Sequence, residues 1–206
     1  MDPAALRSES VLELRRLGAP APGRRYPLTY RPGASIGVRP VAELEARVAV
    51  LHIAYARTLG MPTERAMDWL LDAHILRFVE QGEWRFIVHG DGDSREHAAG
   101  IEAAAALCWV LGLRDDLDPL ARADGRGLPD LRGGERYADW RSRTLTAVRE
   151  PAEAAALLDL YSCLDWSCHE ARTPGLDPVL VARRLGALEW AVTFDQYPSD
   201  GVDRAP

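Results

Sequence analysis

The chain has 206 residues, a formal net charge of −6, an isoelectric point of about 5.4 and 47% apolar residues, the balance of a globular domain with a well-buried core. All 25 basic residues are arginines; this removes Schiff-base chemistry, pyridoxal phosphate anchoring and the P-loop, each of which needs a lysine amine. The acidic balance offers phosphate backbones no general attraction, no eighteen apolar residues run together, and the opening MDPAALRSESVLELRRLGAP is charged throughout, so the expectation is a cytoplasmic protein with no nucleic acid partner and no membrane association.

In chain order, residues 1–17 predict a short helix with Leu6, Val11, Leu14 and Leu17 along one face and Gly18 as its stop. GAPAPGRRYPLTYRPGASIGVRP then predicts an extended surface segment with a short strand over 26–30. These pieces make an N-terminal portion, 1–37, laid on a helical domain, 38–206. Leu44, Val48, Leu51, Tyr55 and Leu59 recur at helical spacing until Gly60 and Pro62 end the run. Thr63 caps a second helix through Ile75, and LRFVEQGEWRFIVHGDGD is read as holding another short one.

Asp93 and Glu96 form a D-x-x-E box opening an alanine-rich helix to Leu111, with Gly112 at its end. A proline- and glycine-punctuated loop follows over 114–134, then a short helix over 135–148 and a long one from Pro151. Asp177 and Pro178 start the last helix, which runs to about Thr193. Strand and helix patterns do not alternate. The expected class is all-α, six to eight helices with an extended Pro/Gly-rich N-terminal segment.

The densest run of reactive residues is LYSCLDWSCHEAR, 160–172. On a helix Leu157, Tyr161, Leu164, Cys168 and Ala171 form a seam, while Cys163 points roughly 140° away from Cys168. The two sulfurs therefore share neither a metal nor a disulfide, and Cys168 is expected in the core. Trp166 lies off the seam near Asp159, Ser162 and Glu170, where either a second helical layer or a groove must meet it. Asp165 and His169 read as a helix-surface pair.

GASIG, 33–37, matches the G-x-S-x-G nucleophile elbow but lacks the parallel sheet that strains such a turn, so it reads as a loop. HGDGDSREH, 89–97, departs from a calcium loop because Arg95 and Glu96 occupy the oxygen-ligand and glycine positions. His89, Asp91 and His97 remain a candidate transition-metal set. His52 and His74 read as packed or hydrogen-bonded residues. No cofactor is indicated.

VRPVAELEARVAVLHIAYARTLGMP, AALCWVLGL, REPAEAAALLDLYSCLDWSCHEAR and GLDPVLVARRLGALEW, in that order and spacing, resemble the bacterial family called domain of unknown function 4272. Arg39, Glu43, Arg47, Glu102, Trp109, Gly112, Asp159, Tyr161, Trp166, Asp177, Pro178, Arg184 and Trp190 match its pattern; Ala99, Leu185 and Glu189 stand where the family commonly has tryptophan, histidine and asparagine. The resemblance implies no known activity. Its arginines, acids and tryptophans fit either a structural network, with Arg47 paired to Glu102 or Asp159, or a groove for an anionic or aromatic ligand or a protein. The expectation is a non-catalytic helical binding or interaction protein, of which an immunity- or accessory-type partner is a special case. The alternative is a metal-dependent hydrolase built on 89–97.

Overall fold

A computed structural model describes residues 2–143, 148–170 and 173–195. It is mostly helical, with eight α-helices among the described residues and one two-stranded sheet. The order is α1 (Pro3–Arg16), β1 (Ser35–Val38), α2 (Val41–Thr58), α3 (Thr63–Asp72), α4 (Gln81–His89), α5 (Ser94–Val110), α6 (Tyr137–Arg141), α7 (Pro151–Glu170), α8 (Pro178–Ala191) and β2 (Val192–Asp195), with a 3₁₀ turn at Leu76–Phe78. None of these helices is long and apolar enough to cross a membrane.

The core is a succession of helix pairs: α2 on α5, α5 on α8, α8 on α7 and α7 on α1. Small residues make the central pairing close. Ala46, Ala49 and Ala54 of α2 and Ala104, Ala105 and Ala106 of α5 are all buried, and such small side chains let these helices pack closely on their neighbours. Larger residues fill the space beside them, including Leu44, Val48 and Ile53 on α2 and Leu107 and Val110 on α5. Each fully buried branched side chain of this kind contributes roughly 1.5–3 kcal/mol.

Local signals set several helix ends. Asp177 accepts from the N–H groups of Val179 and Leu180 at 3.0 and 3.4 Å, with Pro178 behind it, and Asp93 accepts from Arg95 N–H at 2.8 Å. Glu80 and Glu83 form a reciprocal capping box that starts α4, the short helix expected within LRFVEQGEWRFIVHGDGD. Gly60, Gly90 and Gly112 follow helix ends with positive φ.

Four elements differ from expectation. The strand lies at 35–38, not 26–30, and pairs antiparallel with 192–195 in the register Ser35↔Asp195, Ile36↔Phe194, Gly37↔Thr193 and Val38↔Val192. It replaces the loop expected at GASIG and ends α8 two residues early, which makes the class mostly helical instead of all-α. Gly37 suits this pairing because a Cβ there would lie 2.8 Å from Thr193 Oγ1. Helix α3 stops at Asp72 and α6 covers only 137–141 of the expected 135–148; residues 144–147 are outside the described set.

Helix α7 is buried over a broader face than a seam. Ala154, Ala155, Leu158, Asp159, Tyr161, Cys163, Leu164 and Ser167 are all enclosed, because α8 packs on one side and α1 on another. Of the two cysteines on α7, Cys163 is therefore the fully buried one and Cys168 is half-buried at the edge, the reverse of the expected emphasis; Ala171 lies outside the described residues. Asp165 and His169 are the surface pair expected, 3.6 Å apart.

His74 is not packed inside the protein. It is exposed and adopts φ +54, just beyond α3, with its N–H donating to the Leu71 carbonyl at 3.1 Å. A side chain at this left-handed position costs what glycine avoids, so His74→Gly is expected to raise stability by about 1 kcal/mol in urea unfolding. Leu164→Ala, opening a cavity in the buried face of α7, is expected to cost about 2–5 kcal/mol in the same assay; a change within about 0.5 kcal/mol would contradict its buried placement.

Candidate functional site

The charged residues singled out in the sequence separate into two kinds, those whose hydrogen-bonding capacity is consumed inside the fold and those that face open space. Arg184 is the clearest of the first kind. Its side chain is 1% exposed on α8, and its five N–H donors are all used. Nε and Nη2 donate to Glu102 Oε2 at 2.9 and 2.6 Å; Nη1 donates to Tyr161 Oη and the Asp118 carbonyl at 2.9 and 2.7 Å; Nη2 also donates to the Ala121 carbonyl at 2.7 Å.

The partners are themselves occupied. Glu102 Oε1 accepts from Ala123 N–H at 2.9 Å, and Tyr161 Oη donates to the Leu117 carbonyl at 3.0 Å. Burial pushes the Tyr161 phenol up to about 12 despite the adjacent guanidinium, so it stays a neutral donor. This cluster binds α5, α7, α8 and the 117–123 loop together, and Arg184 has no donor left for a ligand.

Asp159 is consumed in the same way. Its carboxylate accepts from Arg7 Nε and Nη2 at 3.1 and 2.8 Å, from Ser10 Oγ at 2.8 Å and from Thr29 Oγ1 at 2.5 Å. Burial pushes the Asp159 pKa up, but the hydrogen bonds from Arg7, Thr29 and Ser10 outweigh it and hold the carboxyl below its ordinary range. Arg7 also donates to the Pro27 carbonyl at 2.9 Å and lies 5.0 Å from the Tyr26 ring centre. Tyr26 in turn lies beside Trp166, with ring centres 6.2 Å apart, so the half-buried indole meets the N-terminal segment.

The pairs expected for Arg47 are not those found. Its partners are Glu83 at 2.8 Å and Glu80 at 3.3 Å, at the start of α4. Helix α4 lies beside α2, whereas Glu102 and Asp159 are held by Arg184 and Arg7. Trp109 is elsewhere again, under the Arg149 guanidinium at 4.9 Å.

Arg47 and Trp190 belong to the second kind. They line a continuous groove along α2, α5 and α8, made of two adjoining concavities of about 360 and 300 Å³ that share Arg47, Leu51, Glu80, Gly100 and Arg183. The floor of one end is small and apolar: Gly100, Ala103, Ala182, Gly186 and Ala187, closed by Trp190. Arg39 positions that indole, its guanidinium 4.7 Å from the ring centre and its Nε donating to the Trp190 carbonyl at 2.6 Å, while Glu43 pairs with Arg39 at 3.3 Å.

The other end is acid-rich. Glu80, Glu83, Asp91, Asp93 and Glu96 line it against Arg47, Arg85 and Arg183. Arg183 pairs with Glu96 at 3.3 Å, whereas the side chains of Arg85 and Asp91 have no hydrogen bond or ion pair among the described residues. His97 also lines this end, its ring stacked on Phe86 at 4.0 Å.

His89 is exposed at the end of α4 and does not line the groove, so His89, Asp91 and His97 are not brought to one point; among the described residues no three His, Cys, Asp or Glu side chains group as a metal site requires. The thiols of Cys108 and Cys163 are pushed up to about 12, chiefly by burial, which keeps them protonated and unreactive. Sequence reasoning missed Arg7, Ser10, Thr29, Glu83 and Arg183. Only Glu83 carried a local signal, the E-x-x-E spacing of a capping box.

Removing one partner of the saturated cluster strands the other in the interior. Arg184→Met is expected to cost about 3–5 kcal/mol in urea unfolding, and Arg184→Lys to recover little of it because one ammonium cannot serve five acceptor directions. A loss below about 1 kcal/mol for Arg184→Met would contradict the burial of its partner Glu102 beside it.

Comparison with known proteins returns no match among curated proteins and none among solved structures. A family profile does match, that of Domain of unknown function (DUF4272), over residues 7–202, a span containing both saturated clusters and the whole groove. By that match the chain belongs to the DUF4272 family.

Proposed function

We propose that the protein is a non-catalytic helical recognition protein whose α2–α5–α8 groove receives a peptide segment of a partner. The observation that carries this reading is the contrast between Arg184, with every donor consumed, and the groove, where the donors of Arg85 and the acceptors of Asp91 are unused and Trp190 is held ready by Arg39. Polar groups kept unpaired beside a small-residue floor suit a chain that brings its own hydrogen bonds.

The arginines alone suggested an anionic ligand. Within the groove five carboxylates face three guanidiniums, and this favours a basic group at the Glu80–Asp91 end. The aromatic half of the expectation keeps its support: an aromatic or aliphatic side chain lying on Gly186 and Ala103 would pack against Trp190. An accessory or immunity-type role is one biological form that such a groove can take.

The test uses Gly186, where an added Cβ would meet nothing within 4 Å. Gly186→Trp fills the groove floor without loss of stability, and Gly186→Ala is its control. Selection from a displayed random peptide library on the wild-type protein is expected to enrich sequences pairing a basic with an aromatic residue. Their affinity is expected to fall at least tenfold for Gly186→Trp and to persist for Gly186→Ala. Selection of acidic peptides, or binding indifferent to Gly186→Trp, would refute the reading.

A further inference from the structure

A different face of α2 carries a second cavity that the groove reading does not use. His52 and Tyr55 lie roughly 80–140° around the helix from Arg47, and they open onto a space of about 620 Å³ closed by the α2–α3 turn, the start of α3 and the 125–132 loop. That volume is in the range of small-molecule sites, about 300–1,000 Å³.

The imidazole defines the polarity of this space. His52 Nδ1 is fully enclosed and has no hydrogen-bond partner. Burial lowers the ring's pKa to about 4, against the opposing pull of Asp130, so the ring is neutral at pH 7. An enclosed N–H without an acceptor is worse than an enclosed lone pair, which leaves the proton on Nε2. With the Nδ1 edge enclosed, the opposite edge presents Nε2–H to the cavity that His52 lines.

The surroundings specify the rest of a ligand. The Tyr55 ring lies within 24° of parallel to the imidazole with centres 6.5 Å apart, and Met61 and Leu128 add apolar wall. Arg65, whose Nη2 donates to the Leu131 carbonyl, and Arg132 supply two positive charges at the same cavity. The Asp130 carboxylate also lines it and is turned into its own loop, accepting from Gly133 N–H at 2.8 Å.

We propose that this cavity binds a small aromatic carboxylate, its ring against Tyr55, Met61 and Leu128, its carboxylate accepting from His52 Nε2–H and neutralised by Arg65 and Arg132. The tautomer makes His52 a donor without requiring it to be charged. The paired guanidiniums outnumber the one acid, so an anion is favoured over an ammonium of the same shape.

The experiment is an NMR titration of full-length protein, ¹⁵N-labelled on histidine, with 2-naphthoate and, separately, 2-naphthylmethylammonium at pH 7. The free protein is expected to show His52 protonated on Nε2. Naphthoate is expected to shift that signal saturably, with the ammonium analogue binding at least tenfold more weakly. His52→Gln, whose amide N–H can stand in for Nε2–H, is expected to retain binding, and His52→Leu to weaken it at least tenfold at an unchanged melting temperature. If His52→Leu unfolds, Arg65→Gln combined with Arg132→Gln gives the same loss through charge. An Nδ1-protonated ring, equal binding of the two probes, or absence of a saturable shift would overturn the proposal.

Discussion

The arrangement of the helices depends on one buried cation. Arg184 enters the interior on α8, where an unpaired charge would cost several kcal/mol, and it is tolerable only because Glu102, Tyr161 and two loop carbonyls arrive together to receive its five N–H groups. That requirement fixes the rotation of α5 and α7 about their axes as well as the course of the 117–123 loop, which has neither helix nor strand to hold it. Apolar packing alone would bring α5 and α8 together without specifying which residues face each other. The guanidinium's planar fork adds that specification.

Asp159 does for the N-terminal residues what Arg184 does for the centre. Helix α1 buries little beyond Leu6 and Leu14, and the segment after it carries several prolines and no regular structure between 19 and 34. Arg7, Ser10 and Thr29 all converge on this one carboxylate, so a single acid on α7 holds both the helix and the irregular chain that follows it. The strand pair closes the same region, and Tyr30 stacks on Phe194 at 5.1 Å.

Against these saturated clusters the groove and the His52 cavity stand out by what they leave unused. The groove keeps free polar groups beside small residues, and the His52 cavity keeps a neutral donor beside two arginines. Saturated networks fix a fold, while unsaturated polar groups at a surface are available to something else. The residues matching the family pattern fall on both sides of this division: Glu102, Asp159, Tyr161 and Arg184 serve the interior, and Arg47 and Trp190 face the groove.

What the sequence determined by itself is local. Gly60 and Pro62, Asp93, Gly112, and Asp177 with Pro178 bound helices through hydrogen bonds or dihedral limits reaching no more than a few residues, so α2, α5 and α8 were legible. The absence of lysine likewise excluded whole chemistries from composition alone. Which charge meets which was decided only in three dimensions: Arg7 and Asp159 are 152 positions apart, Arg184 and Glu102 are 82, and Arg47 and Glu83 are 36. Periodicity placed Asp159 on the outer side of α7, and it became interior because α1 packs there. The two strands were illegible for the same reason: SIGV and VTFD are too short to declare themselves, and each acquires its hydrogen-bonding partner only when the chain returns at the end of α8.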